Sequence, residues 1–362
     1  MSKLIRKSVA EMKAYVPGEQ ASGPDIVKLN TNENPYPPSP RILEFLSTMS
    51  IDRLRLYPDP VCSELRSELG DLHGCGPDRI FVGNGSDEVL ALSVRAFVER
   101  DGTVGFFDPS YSLYPVLAAI EDVSTRPVLL QDDFRWTMPE DYESSLFLLT
   151  NPNAPTSLAF PGNEIAAFCG RTSGVVVIDE AYGDFSGENN LALALSNDNV
   201  LVVRTLSKSY ALAGIRLGYA VGPPALIHAL YKIKDSYNVN WITQEIALIA
   251  IRDQDYLRTI LKAIRTTRDR ISRTLALKGI EVFPSSTNFL WIRPRGICAK
   301  SVFDELRKQN ILVRHFPGHR TENYLRVTVG TDKQMDQFLV ALDRVIGSNL
   351  TDSINIRKSP RT

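Results

Sequence analysis

The chain alternates short, uninterrupted apolar runs with longer segments whose apolar residues return every three or four positions. The runs are Ile80-Phe81-Val82, Thr103-Val104-Gly105-Phe106-Phe107, Leu146-Phe147-Leu148-Leu149, Val175-Val176-Val177-Ile178 and Val200-Leu201-Val202-Val203. Such runs, rich in β-branched and aromatic residues and without polar alternation, predict strands buried on both faces. They fit a mostly parallel sheet covered by helices on either side. A helix is predicted over residues 86–97. Polar residues follow each run at once, at 83–88, 108–111, 151–156, 179–182 and 205–208. Ligands bind at the carboxyl ends of strands in open parallel sheets, so these five segments are expected to converge on one cleft.

From about residue 243 the pattern changes. A charge-rich helix is predicted over 244–278. After it come Ile280-Glu281-Val282-Phe283, Phe289-Leu290-Trp291-Ile292, a helix near 301–309, Ile311-Leu312-Val313, Leu325-Arg326-Val327-Thr328-Val329 and a last helix over 333–346. Mixed elements in this order predict a smaller α+β unit. The expected organisation is an N-terminal arm over 1–30, a large domain over 31–242, a small domain over 243–346 and a polar, disordered tail over 347–362. Leu4, Ile5, Val9 and Met12 form the apolar side of the arm, which lacks the continuous apolar stretch of a signal peptide. No run reaches the length of a membrane span, and without a secretion signal the sequon Asn349-Leu350-Thr351 is read as chance.

Composition changes this picture little. The chain has 362 residues, 43% apolar and 23% charged, with a formal net charge of −1, as in a soluble globular protein with no electrostatic reason to bind nucleic acid or an anionic membrane. Cys62, Cys75, Cys169 and Cys298 are widely spaced, with no Cys-x-x-Cys pair. Free thiols in a reducing cytoplasm are expected. His315 and His319 flank Phe316-Pro317-Gly318, which excludes the helical metal-binding pair, and no metal is expected.

Candidate chemistry centres on Thr205-Leu206-Ser207-Lys208-Ser209-Tyr210, with Arg216 eight residues beyond Lys208 in Gly214-Ile215-Arg216-Leu217-Gly218. The apolar flanks place Lys208 at the end of a buried strand rather than on a solvated helix. An amine, a neighbouring hydroxyl and a nearby guanidinium suit an aldehyde cofactor with a phosphate tail. The amine condenses with the aldehyde, while Ser207 and Arg216 hold the phosphate. Asp179 ends another buried strand, where a carboxylate needs a cationic partner. A protonated ring nitrogen would serve. A helix cap or metal ligand is the alternative for Asp179 alone, and Lys208 one strand later favours the cofactor. Gly83-Asn84-Gly85-Ser86-Asp87-Glu88 joins a strand to a helix, with Ser86 as the expected N-cap and free N–H groups suited to an anion. As a dinucleotide fingerprint it fails, because Glu88 stands where the third glycine belongs; a plain capped turn is the other reading.

The lysine run resembles the cofactor-lysine signature of pyridoxal-phosphate aminotransferases of the aspartate aminotransferase type. Leu29-Asn30-Thr31-Asn32-Glu33-Asn34-Pro35-Tyr36 resembles the entry segment of histidinol-phosphate aminotransferases. Tyr57-Pro58-Asp59-Pro60, residues 83–88, 179–182 and 205–218, and Leu325-Arg326-Val327-Thr328-Val329-Gly330 recur in that family in the same order. The resemblance spans residues 15–346. It implies the fold-type I architecture of these transferases: α/β, a mostly parallel seven-stranded sheet with helices on both faces, and a smaller α+β domain. It also implies pyridoxal 5'-phosphate as cofactor. Lys208 would carry the cofactor and move the Cα proton. Asp179 would hold the ring nitrogen, Tyr182 would contact the ring oxygen, and Tyr111 would stack on the ring. Ser86, Asp87, Ser207 and Arg216 would bind the phosphate. Tyr57 would reach the phosphate of a neighbouring subunit, which implies a homodimer with shared sites. Tyr15, Arg314 and Arg326 match positions near the substrate anion. One departure stands out in Asn153-Ala154-Pro155-Thr156-Ser157. Ala154 replaces the amide that usually bonds the ring oxygen, leaving Asn153 as a substitute or Tyr182 acting alone.

The expected activity is amino transfer between L-histidinol phosphate and 2-oxoglutarate. An aromatic amino acid aminotransferase or a threonine-phosphate decarboxylase would share nearly all of these cofactor residues. A nucleotide-binding module built on residues 83–88 is the rival from another class.

Overall fold

The computed structural model describes residues 4–358 except 22 and 24, and side chains to 347. The five predicted runs are strands of one seven-stranded sheet. Across it the order is Ile80–Gly83, Gly218–Val221, Val200–Thr205, Val175–Asp179, Leu146–Thr150, Thr103–Asp108 and Ser124–Leu129. Every strand runs parallel except Gly218–Val221, which is antiparallel to both neighbours. The central strands are buried along their length, as uninterrupted apolar runs require.

Two of the seven strands carry no such run. Ser124–Leu129 is an edge strand with mostly exposed side chains, and it accommodates Pro127 because an edge leaves N–H groups unpaired. Gly218–Val221 is four residues long and follows the Arg216 loop directly.

Chain connectivity puts the cleft where it is. The chain passes from Ile80–Gly83 at one edge to Thr103–Asp108 near the other, then winds back through the central strands. Gly83, Asp108, Thr150, Asp179 and Thr205 therefore end on one side of the sheet, at the switch in strand order.

A second sheet, antiparallel, has the order Arg314–His315, Leu325–Thr328, Phe289–Arg293 and Glu281–Val282. A third, of two strands, pairs Val27–Lys28 in parallel with Ile311–Leu312, so the N-terminal segment joins the C-terminal part of the fold. The helix predicted over 244–278 is two helices, Trp241–Arg252 and Gln254–Leu277, broken at Asp253. There the buried Asp253 carboxylate accepts the Ser39 hydroxyl at 2.5 Å. The first of these helices packs against Ser63–His73 and Arg41–Thr48, on the far side of the expected boundary at 242.

The last helix runs Asp332–Lys358, well into the segment expected to be disordered. Polarity argued for disorder, but no proline follows Gly347 until Pro360, so nothing in the sequence stops the helix. The final residues of that segment, 359–362, and residues 1–3 of the arm lie outside the described residues. Among the described residues no helix is long and apolar enough to cross a membrane.

Candidate active site

A cavity of about 620 Å³ opens at the carboxyl ends of the central strands. Tyr15, Ser86, Asp87, Tyr111, Asp179, Tyr182, Ser207, Lys208, Arg216, Arg314 and Arg326 all line it, so most of the residues singled out from sequence meet in one place. Lys208 Nζ lies 3.5 Å from the Thr31 carbonyl oxygen and 5.9 Å from the centre of the Tyr182 ring.

Asp179 ends its strand with a side chain 2% exposed. One carboxylate oxygen accepts from the Tyr114 hydroxyl at 2.9 Å and the other from the Ala181 N–H at 3.0 Å. Burial nevertheless outweighs these donors and pushes its pKa from 3.8 up to about 6. No basic side chain lies within ion-pair distance among the described residues. A charged carboxylate at the floor of a cavity, with hydrogen-bond donors but no cation, suits a ligand that brings a protonated ring nitrogen.

At the other end, the helix Ser86–Phe97 points its first turn into the cavity. Gly85, not Ser86, is the N-cap, with φ 81 and ψ 164. This backbone region is costly for a residue with a Cβ, and a Cβ on Gly85 would come 2.6 Å from Arg216 Nη2. Ser86 is thereby moved into the first turn. A Cβ on Gly218 would lie 2.2 Å from the Ser86 nitrogen, so both glycines are needed for the approach of strand, helix and Arg216 loop. Arg216 reaches the Ser207 hydroxyl at 3.3 Å and the Asp87 carboxylate at 3.4 Å, and the Thr205 hydroxyl donates to Ser207 at 3.0 Å. Free helical N–H groups, the Ser207 hydroxyl and a guanidinium form a donor set fitted to a phosphate. Glu88, by contrast, accepts from Asn84 N at 2.5 Å and Asn238 Nδ2 at 2.9 Å. It braces the turn where a dinucleotide fingerprint would need glycine.

Tyr111 donates to Asp87 at 3.2 Å and stands edge-on to Tyr15, with ring centres 5.9 Å apart. Burial, then the Asp87 charge, drives its phenol far above the ordinary range, so it remains a neutral ring. Asn153, expected as a substitute donor to the cofactor ring oxygen, is not among the residues that line the cavity. It is wholly buried, its Nδ2 donates to the Pro109 carbonyl at 3.1 Å and Thr156 Oγ1 at 2.9 Å, and Ala154 takes the place on the cavity wall. Its Nδ2 is engaged in fixing the loop, while its Oδ1 is buried without a partner. Tyr57 does not line the cavity of its own chain. It is 81% exposed and stacks on Tyr237 at 4.4 Å between ring centres.

Arg326 and Arg314 are directly opposed across two antiparallel strands. Like charges in register are unfavourable by about 0.2–1 kcal/mol, and no carboxylate pairs with either among the described residues. Arg326 donates to the Asn30 carbonyl at 3.1 Å, its Nε has no partner, and Phe289 and Phe316 each lie 5.3 Å from its guanidinium. Burial holds its pKa below the ordinary arginine value, with the Arg314 charge adding to this, yet an arginine remains cationic. Among the described residues no structural ion pair accounts for a guanidinium at this place in an apolar strand. Arg314 differs from expectation in one respect: it donates to the Val16 and Pro17 carbonyls at 3.0 and 3.2 Å. It therefore ties down the arm that carries Tyr15.

Sequence reasoning missed two groups. Tyr114, the donor to Asp179, begins the helix Tyr114–Glu121, three residues after Tyr111. Asn32 donates to the Tyr182 hydroxyl at 2.8 Å; its segment was recognised, but nothing in its spacing announced this contact. Among the described residues no group of His, Cys, Asp and Glu is arranged to hold a metal ion.

A lysine amine, an unpaired buried carboxylate and a phosphate cradle at the switch point of this sheet define a site for amino-group chemistry. The model of the family "Aminotransferase class I and II" matches residues 24–342, and the chain belongs to that family. It is 41% identical over 345 residues to a histidinol-phosphate aminotransferase of Synechocystis, covering 95% of this chain and 99% of that one. Among solved structures, a histidinol-phosphate aminotransferase from Sinorhizobium meliloti, in complex with pyridoxal-5'-phosphate, is similar with a TM-score of 0.85 at 26% identity. The match covers 96% of this chain and 99% of that one. The fold is shared more widely: L-threonine-O-3-phosphate decarboxylase from Porphyromonas gingivalis has a TM-score of 0.77 at 23% identity, over 88% of this chain and 99% of that one.

Proposed function

We propose that the chain exchanges an amino group between L-histidinol phosphate and 2-oxoglutarate in L-histidine biosynthesis, with pyridoxal 5'-phosphate as cofactor. The products are imidazole acetol phosphate and L-glutamate. The observation that carries this reading is Arg326: a guanidinium without a carboxylate partner among the described residues, facing the same cavity as Lys208 and Asp179. Both amino donors present an anion, a phosphate ester in one and a carboxylate in the other, and a planar guanidinium binds either. The identity to histidinol-phosphate aminotransferases supports this substrate over aromatic amino acids. Purified enzyme given histidinol phosphate and 2-oxoglutarate should form glutamate; no glutamate would reject the reading.

When bound, the cofactor supplies an aldehyde that captures amino groups and a ring that takes up electrons released at Cα. The residues around it do the rest. Lys208 Nζ would hold the aldehyde and, once released from it, would take the proton from substrate Cα. Asp179 keeps the ring nitrogen protonated, with Tyr114 and the Ala181 N–H fixing the carboxylate. Tyr182 donates to the ring oxygen. Ser86, Asp87 (through backbone N–H), Ser207 and Arg216 hold the phosphate, and Tyr111 covers the ring. Arg326 would bind the substrate anion, and Tyr15, on the arm that Arg314 holds at Val16 and Pro17, lines the same cavity.

The Asp179 carboxylate makes a pH-dependent prediction. Its folded-state pKa is raised, to about 6, so the cofactor-free protein loses stability as pH rises from the unfolded value through the folded one. Cofactor-free Asp179→Asn should therefore melt above wild type at pH 8, by about 1–3 kcal/mol in stability, and the gap should narrow towards pH 4. With cofactor bound the order should reverse, and turnover should fall by about a hundredfold or more. Melting curves at the two pH values, with and without pyridoxal phosphate, check both halves.

A homodimer belongs to the same proposal. Tyr57 ends a stretch of chain, residues 43–57, in which Leu43, Leu46, Ile51, Leu54 and Leu56 are also exposed, apolar surface that a second copy could cover. Mixing Tyr57→Phe with Lys208→Ala chains should give heterodimers with one intact site and activity above either parent. Proven subunit exchange without recovery would mean each site is built within one chain. Cytoplasmic residence is part of this reading too, and the four cysteines, all free, fit a reducing compartment.

A further inference from the structure

Ala154 gives the cavity wall a methyl group and Asn153 faces elsewhere, so neither donates to a ligand in the cavity. Of residues 153, 154 and 182, the Tyr182 phenol is the donor that lines the cavity, and a phenol has only one proton to direct. The direction is set by Asn32.

Asn32 is 1% exposed and sits in the left-handed region at φ 56, a conformation asparagine tolerates better than most residues. Its Nδ2 donates to the Tyr182 oxygen at 2.8 Å. Its amide orientation is fixed by Thr328, 2% exposed, whose hydroxyl accepts the Asn32 backbone N–H at 3.0 Å and donates to Asn32 Oδ1 at 3.1 Å. A flipped amide would present two donors to the threonine oxygen and leave the threonine proton without an acceptor in a buried site, which is unfavourable. The Asn288 Nδ2 donates to the Asn32 carbonyl at 3.0 Å and holds the residue from a fourth side. With Nδ2 facing the phenol oxygen, the phenol cannot give its proton to Asn32. It gives it to the cavity.

We propose that Asn32 is a positioning residue that turns the Tyr182 hydroxyl into an obligate donor towards the cofactor ring oxygen, in place of an amide at position 154. The proposal rests on the cavity being the pyridoxal-phosphate site. Asn32 does not touch the reacting atoms; it acts through Tyr182. Thr328 is two residues from Arg326 on one strand, and Arg326 bonds the carbonyl of Asn30. The segment that orients the phenol therefore also braces the anion-binding arginine.

Asn32→Asp keeps the shape, reverses the orientation and adds a negative charge that would itself raise a nearby cation's pKa, so the uncharged Asn32→Gly is read beside it. The carboxylate keeps the size and the tolerance for positive φ, but it accepts where the amide donated, so the phenol proton turns away from the cavity. The readout is the pH midpoint of the visible absorbance change of the cofactor-loaded enzyme without substrate. That change reports the proton held between the Lys208 nitrogen and the ring oxygen. A donor on the ring oxygen weakens that oxygen's hold on the proton, so losing the donor raises the midpoint. Tyr182→Phe should raise it by about one unit, and Asn32→Asp should raise it by a similar amount although the phenol is still present. Asn32→Gly, which suits the backbone and removes the amide, should move it the same way by less, and it stands in if the aspartate variant does not fold. A shift in Tyr182→Phe with the wild-type midpoint in the folded Asn32 variants would overturn the proposal and leave the cofactor assignment standing. No shift in Tyr182→Phe would overturn it as well. A wild-type protein that takes up no pyridoxal phosphate, and so shows no visible absorbance, would overturn the underlying reading itself.

Discussion

Lys208→Ala should still bind pyridoxal phosphate, lose all covalent attachment to it, and turn over slower by about a thousandfold or more. The phosphate cradle of Ser86, Asp87, Ser207 and Arg216 is held by contacts that do not involve the lysine side chain. Binding is therefore expected to weaken without being abolished. Rate is another matter, because the amine that holds the aldehyde is also the base at Cα, and one truncation removes both roles. Equilibrium dialysis separates retention from attachment. Borohydride reduction of the wild type, followed by peptide mapping, should place the adduct on Lys208; an adduct on another lysine would end the assignment.

Arg326→Gln should slow both half-reactions, each by about a hundredfold. The mutation removes the charge that both amino donors need, and the same arginine has no carboxylate whose loss could destabilise the fold instead. The variant is thus expected to fold with little change, since Phe289 and Phe316 can pack on the shorter side chain. Arg314→Gln should behave differently. Its donors engage Val16 and Pro17, so it should loosen the arm and Tyr15, harming the larger phosphate donor more than glutamate. Stopped-flow half-reactions with each donor distinguish the two. Wild-type rates in a folded Arg326→Gln protein would place the anion site elsewhere.

The central sheet was legible because a strand buried on both faces must be apolar throughout, and 175–178 and 200–203 can be read as little else. Ser124–Leu129 escaped because an edge strand has no such demand. The site was legible wherever chemistry forces a residue type on the end of a strand, as with Asp179 and Lys208. It was not legible where the geometry is made by chain segments far apart in sequence. Asn32 meets Tyr182, Thr328 and Asn288 only in the fold. Asn153 looked available by its place beside Ala154, and only the loop shows its amide engaged. Arg314 was expected at the anion by its family position, and its donors proved to hold the arm.

The most direct test of the account is the rate at which the cofactor-loaded wild type accepts an amino group from histidinol phosphate, phenylalanine and O-phosphothreonine in single turnovers. The account predicts fastest reaction with histidinol phosphate, recovery of the starting spectrum on adding 2-oxoglutarate, and no release of carbon dioxide from any donor. Faster reaction with phenylalanine, or carbon dioxide released from O-phosphothreonine, would contradict it.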